Sequence, residues 1–194
     1  MGVFADVEGV EEPIRSDDQS LRQMLRLEPD ETHQDVVISS FASTARARIE
    51  AFIRQRLIIR EMTYVESGFP RAALVLPIAP IVSITSVAYV DAAGVVQTLA
   101  ASAYRLRSSV IPNELLPAFG EVWPFCSADP DSVTVTLSVG MADTDATLPP
   151  DLLNAIRIYT AHLYAYRETP FDGQMVGGLP KFVADMVAHH RLWF

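Results

Sequence analysis

Residues 74–106 read LVLPIAPIVSITSVAYVDAAGVVQTLAASAYRL, and the pattern in the middle of this stretch points to β-structure. Val82, Ile84, Ser86, Ala88 and Val90 fall on one face, with Ser83, Thr85, Val87 and Tyr89 on the other. Period-two alternation rich in β-branched residues predicts a half-buried strand. Asp91-Ala92-Ala93-Gly94 supplies the turn, with Gly94 free to take a positive φ. Residues 95–99 run back as the hairpin partner, and 104–110 offer a third strand of a small antiparallel meander. Downstream, SVTVTLSVG at 132–140 is the clearest alternating strand in the chain. Upstream, 57–65 reads as a strand that ends at the turn Gly68-Phe69-Pro70. Pro112, Pro117 and Pro124 argue for extended loops between the two sheet segments rather than central strands.

Helical patterns flank this β-rich stretch. Ser16, followed by Asp17, Asp18 and Gln19, predicts the start of a short helix whose stripe is Leu21, Met24, Leu25 and Leu27, stopped by Pro29. Asp30 or Thr32 is placed to cap a second helix running to about Arg56. Its apolar residues Val37, Ile38, Phe41, Ala45, Ile49, Phe52 and Ile53 recur three and four apart. Ala42, Ala45, Ala47 and Ala51 leave room for a close neighbour. Pro149 and Pro150 suit a first turn, and Asp151 suits its positive end. This third helix is expected to bury Leu152, Ile156, Tyr159, Leu163 and Tyr166. After a glycine-containing segment, Pro180 opens a last short helix with Phe182, Val183, Met186 and Val187 on one face. The fold class is therefore α+β: about four helices with an inserted antiparallel sheet. Residues 1–15 read as an acidic flexible arm and 16–194 as one domain, with helices over about 16–57 and 149–192 and the insert over about 58–140.

The chain has 194 residues, 15 Lys+Arg against 24 Asp+Glu, and a net charge of −9. That balance disfavours a protein that grips nucleic-acid phosphates. The charge is segregated: residues 1–35 carry net −7 and residues 36–71 carry net +3. Opposite signs on different segments suit side-by-side pairing of copies. Ordinary solvated helix faces explain the same pattern, for example Arg46 with Glu50 at i, i+4. An apolar content of 49% and a mean hydropathy of +0.20 are high for a lone domain, and such excess often ends in subunit interfaces. Residues 72–90 carry no charge, but Pro77, Pro80 and the alternation favour strands over a membrane span. The acidic start has no basic region leading into an apolar run, so an intracellular product is expected. Cys126 is single, which leaves no internal disulfide and no cysteine metal cluster to expect.

No catalytic constellation stands out, and neither cofactor nor metal is expected. His189 and His190 are adjacent, so on an α-helix they point about 100° apart and are expected to be separate surface residues. His162 lies among Tyr159, Tyr164 and Tyr166 with no nucleophile at readable spacing. Asp143-x-Asp145-x-Thr147 resembles the start of a calcium loop but lacks its glycine and its closing glutamate; Asn154 stands at the twelfth position. Gly177-Gly178 is followed by no P-loop lysine. Two features stand out instead. The second helix and the strand after it carry Arg46, Arg48, Arg54, Arg56 and Arg60, a candidate subunit interface. The chain ends Leu192-Trp193-Phe194, large apolar residues suited to a partner's pocket.

The run VxSITSVxYVDAxGVxQTLxxSxYRL, preceded by an apolar strand and Leu-Pro, resembles the head–tail adaptor (connector) proteins of tailed phages and phage-derived particles such as gene transfer agents. The likeness is to the subgroup with a β-rich insert among helices. It extends from about Ser16 through LRQMLRL at 21–27, ARARIE at 45–50 with Arg54 and Arg56, Trp123-Pro124, the strand ending at Gly140, Arg167-Glu168 and the terminal Trp193. Where that pattern has a glycine after the second helix, this chain has Arg54-Gln55-Arg56.

The resemblance implies a structural, non-enzymatic protein in the particle neck, assembled in the bacterial cytoplasm. It implies a homo-oligomeric ring, a dodecamer, between the portal protein and a stopper or tail-terminator protein, with DNA passing through its lumen without specific binding. It also implies a portal contact through the C-terminal segment, here Phe182, Met186, Leu192, Trp193 and Phe194. The alternatives are a small-ligand or regulatory binding module on the same sheet, and a hydrolase using His162 with Asp143 or Asp145.

Overall fold

The computed structural model describes residues 3–6, 12–28, 30–144, 147–167, 175–176 and 178–193. Among these residues, four α-helices and antiparallel sheets give the α+β class that the patterning predicts. The chain divides into two compact units, a β unit of residues 59–140 with the first strand, and a helical unit of 12–58 and 141–193.

In the β unit, β1 (Val3–Asp6), β2 (Arg60–Glu66), β8 (Val133–Val139), β4 (Ile81–Val90) and β5 (Val96–Thr98) form a five-stranded antiparallel sheet in that order. The alternation of β8 is strict: Val133, Val135, Leu137 and Val139 are buried, and Thr134, Thr136 and Ser138 are not. The alternation read for β4 is only partly kept. Register shifts against β8 at Ile81/Ser83 and Ile84/Ser86 each insert an extra residue. The most buried side chains of β4 are consequently Ile81 and Val87, with Ile84 between them packed against the same core.

The meander expected after β5 does not form. β6 (Tyr104–Arg107) leaves for a second sheet, pairing with β7 (Asn113–Pro117), which also pairs with β3 (Leu74–Leu76). β7 is the central strand there, against the reading of its prolines as loop markers. Pro112 precedes the strand and Pro117 ends it, so neither removes a donor from its interior. Both sheets close on one apolar core of Met62, Tyr64, Leu74, Leu76, Ile78, Ile81, Val87, Leu115 and the four inward residues of β8. The arm expected over residues 1–15 is corrected at both of its described ends: Val3–Asp6 pairs with β2, and Ile14 is fully buried in the helical unit.

In the helical unit, α1 (Gln19–Leu25) starts two residues later than Ser16 would place it. Asp18 is the cap, its Oδ1 accepting the Leu21 N–H at 2.7 Å. α2 (Asp35–Ile53) begins after Gln34 with no side-chain cap, so neither Asp30 nor Thr32 serves. It buries Ile38, Ala42, Ala45, Ile49, Phe52 and Ile53, while Val37, Ala47 and Ala51 are exposed. It ends three residues before Arg56 because Arg54 turns left-handed at φ 60°, the conformation that a glycine favours. α3 (Pro150–Ala165) packs on α1, α2 and α4 (Lys181–Val187). Its buried residues are Leu152, Ala155, Ile156, Tyr159 and Thr160; Leu163 is half-buried and Tyr166 is exposed. Two short strands, β9 (Met175–Val176) and β10 (Leu179–Pro180), pair just before α4.

Candidate assembly surfaces

The arginines that stand together in the sequence as a candidate interface are separated in the structure. Arg46 is buried in α2. Its Nε and Nη2 donate to Glu12 at 2.9 and 3.1 Å, and its Nη1 donates to Glu50 at 3.0 Å. Burial opposes the charge of Arg46, but its bond to Glu12 and the fields of Glu50 and Glu12 outweigh it and hold its pKa above the usual value. Glu50, also buried, accepts the Leu57 N–H at 3.0 Å through its other oxygen and has Arg56 Nη1 at 3.9 Å. This carboxylate thereby ties the chain leaving α2 back to the helix. Arg60 is buried at the start of β2. Of the five expected interface residues, Arg46 and Arg60 are therefore not surface charges. Arg48 and Arg54 are exposed and Arg56 is half-buried. Arg48 Nη1 donates to the Gly178 carbonyl at 3.1 Å.

A third buried arginine was not expected from the sequence at all. Arg22, on the expected outer face of α1, is enclosed and donates to the carbonyls of Ser16, Glu28 and Glu31 at 3.1, 2.7 and 2.8 Å, and to Asp35 at 3.0 Å. Met24, assigned to the buried stripe, is exposed instead. A single sequence gives no signal for this exchange, because the three carbonyls that satisfy Arg22 come from turns. Asp18 joins the same scaffold by a two-pronged bond to Arg157 at 3.0 and 2.8 Å.

The C-terminal segment is anchored at its backbone and exposed at its tip. Val183, Ala184 and Val187 are the buried residues of α4, and Met186 packs partly against the same core; Phe182 is exposed. The Leu192 N–H donates to the Ile53 carbonyl at 3.0 Å, and Gln55 Nε2 donates to the His190 carbonyl. Arg191 stacks on Phe52 and on Trp193, its guanidinium 4.7 and 4.2 Å from the ring centres, yet Trp193 remains 76% exposed. Phe194 lies outside the described residues.

In the β unit, the loop between β7 and β8 holds a second apolar display. Trp123 stacks on Phe69 with ring centres 4.6 Å apart, and its Nε1–H donates to the Ala72 carbonyl at 3.1 Å. Around this pin, Phe119 is fully exposed, and Val122 and Phe125 are 84% and 82% exposed.

The two histidine readings fare differently. His162 packs beside Tyr159, Tyr166 and Phe182, and burial lowers its pKa. It lines a cavity of about 220 Å³ with Arg48 and Met175, whereas Asp143 lines another with Glu12, Arg15 and Asp17. The structure thus does not bring His162 and Asp143 into one pocket, and Asp145 lies outside the described residues. Thr147 bonds the Thr144 carbonyl at 3.0 Å, as a loop residue does. His189 and His190, by contrast, are not separated. They sit in a 3-10 turn over Ala188–His190, and both ring Nε2 atoms reach Asp151 Oδ2, at 2.9 and 2.7 Å. The expectation that they point apart assumed a continuous α-helix, but α4 stops at Val187.

No protein-family model matches the sequence, and no curated protein matches it. Among solved structures, a chain from the neck of an empty gene transfer agent (GTA) particle, computed with C6 symmetry, superposes with a TM-score of 0.80 at 25% identity. The match covers 99% of this chain and 96% of that one. The fold is similar to that of a GTA neck chain. A chain from the virion of a native GTA particle (TM-score 0.76, 24% identity, 98% and 96% covered) and one from the neck of a native particle with C12 symmetry (0.72, 24%, 99% and 96%) have the same fold. The likeness to the GTA neck chains therefore spans both units, the helical one and the β one.

Proposed function

We propose that this chain is a structural head–tail adaptor of a GTA-like or phage neck: a ring-forming, non-enzymatic subunit that joins the portal to the stopper or tail and lets DNA pass through its lumen. The observation that carries this reading is the match over 99% of the chain to a subunit of a neck computed with C6 symmetry. The neck matched by the third chain was computed with C12 symmetry, which supports a dodecamer. A net charge of −9 suits a channel through which DNA must slide, since a basic wall would hold the phosphates. Among the described residues no helix is long and apolar enough to cross a membrane.

A closed ring needs two different faces of one subunit to meet. Arg48, Arg54 and Arg56 are the remaining candidates on the basic side. For the portal, the C-terminal segment from Pro180 is the proposed grip. Trp193 is its anchor and Phe182 an exposed neighbour, with Leu192 and Met186 half-buried behind them. Phe194 completes the proposed set.

Co-purification with the portal protein of its own particle tests the assignment. The full chain is expected to form rings on portal-bearing heads. A Trp193→Ala chain, altered at a side chain outside the helical core, is expected to stay folded and lose attachment. Attachment by this variant would move the anchor to the β unit, where Phe119, Val122 and Phe125 are the exposed apolar set. Absence of any portal association by the full chain would refute the assignment.

A further inference from the structure

We propose that Asp151, His189 and His190 form a binding site for a divalent transition-metal ion of the zinc class, stapling the C-terminal segment to the first turn of α3. A carboxylate oxygen and two imidazole nitrogens are the donor set that zinc takes when three ligands come from protein and water fills the rest. The three ligand atoms lie within 4.8 Å of one another. With metal–ligand bonds of about 2.0–2.2 Å, a tetrahedral site places its ligand atoms roughly 3.3 Å apart. The two separations to Asp151 Oδ2, 2.9 and 2.7 Å, are a few tenths short of that, so an entering ion needs only small side-chain rotations. His189, at 63% side-chain exposure, has the room to make them.

The backbone beneath the site is held on each side. Asp151 stands in the first turn of α3, the His190 carbonyl is bonded by Gln55, and Leu192 is bonded to Ile53. The two imidazole rings lie 4.1 Å apart at their centres, both turned to one carboxylate oxygen. A structural hydrogen bond to Asp151 requires one ring; the second is what a metal site adds. A metal takes imidazole in its uncharged form, so the bound donor set carries the single negative charge of Asp151, which suits a dication. The positive end of α3 works against the ion, so an apparent Kd on the order of 10 µM is expected rather than the much tighter binding of closed structural sites.

The test is calorimetric titration of zinc into the untagged full-length chain in metal-free buffer at pH 7.5, with cobalt absorption in the visible as a second report on imidazole ligation. One saturable site is expected. His189→Ala and Asp151→Asn should each weaken it at least about tenfold, while His33→Gln leaves it unchanged. His189 is largely exposed, so its removal keeps the fold and reads only the ligand. No saturable binding below about 1 mM zinc would overturn the proposal. So would unchanged binding by His189→Ala, because the ion would then be held elsewhere.

Discussion

The two units are built on different terms. In the β unit the core is apolar throughout, and the buried polar residues stand at strand ends: Arg60 opens β2, Asn113 opens β7, and Ser132 precedes β8. In the helical unit buried charges sit inside the helices, Arg22 in α1 and Arg46 with Glu50 in α2. Such a group stabilises only while all its partners are present, because a charge left alone in the interior is costly. The β unit is thus expected to tolerate small losses of volume in proportion to their size. The helical unit should fail abruptly when one partner is removed.

The largest effect is expected at the buried pair. Arg46→Met leaves the Glu50 carboxylate enclosed without its main partner and should cost about 3 kcal/mol or more in chemical denaturation. Arg46→Met with Glu50→Leu should recover part of that loss. If the double variant is as unstable as the sum of the singles, the pair is not the cooperative unit described. The matching test in the β unit is Leu137→Ala, in the centre of the strictly alternating strand. It removes fully buried volume and should cost about 3 kcal/mol by the same measurement. A loss of a few tenths would mean that the two sheets close over the cavity and that the core is not close-packed.

A smaller difference is expected with protons. His162 has its pKa lowered by burial, so the unfolded chain takes up a proton first. The stability tied to its neutral form is full above the unfolded value, near 6.5, and is lost as pH falls toward the folded one. Asp18 and Asp151 also have lowered pKa values; burial opposes this, but Arg157 and His190 respectively outweigh it. Their stabilisation holds above the unfolded carboxylate value, near 3.9, and disappears below it. Among the described residues of the β unit the lowered groups are carboxylates, Glu66 through Tyr64 and Asp91 through Gln97. Amide exchange followed from pH 7.5 to 5 should therefore show α3 losing protection while β8 keeps it. His162→Phe should remove the difference; equal loss in both units would contradict it.

The smallest effect concerns Arg26, which ends α1 in a left-handed conformation at φ 58°. Arg26→Gly should raise stability by up to about 1 kcal/mol, since glycine takes that conformation without the steric cost. A clear decrease would mean that the arginine side chain stabilises the turn.

The same contrast explains what the sequence made legible. Strand β8 could be read because its side chains report burial directly, one residue in and one out, and the hairpin at Gly94 because Asp91-Ala92-Ala93-Gly94 carries the chemistry of the turn, with Gly94 at φ 80°. The bulges in β4 escaped because an inserted residue leaves no mark on composition. β6 escaped because the choice of sheet is made by β7, which its prolines had disguised. In the helical unit the helices were legible and their insides were not. Arg22 and Arg46 look like surface charges until turns and a distant glutamate close over them. Asp151 with His189 and His190 escaped because the end of α4 at Val187 turns the two rings toward one carboxylate.

The most direct test of the adaptor assignment is an image of the neck of the particle that this chain belongs to, resolved well enough to place both units of each subunit. Twelve copies in a closed ring against the portal, with Trp193 seated in a portal pocket, is the predicted result. A neck assembled without this chain, or with it outside the path between portal and tail, would contradict the account.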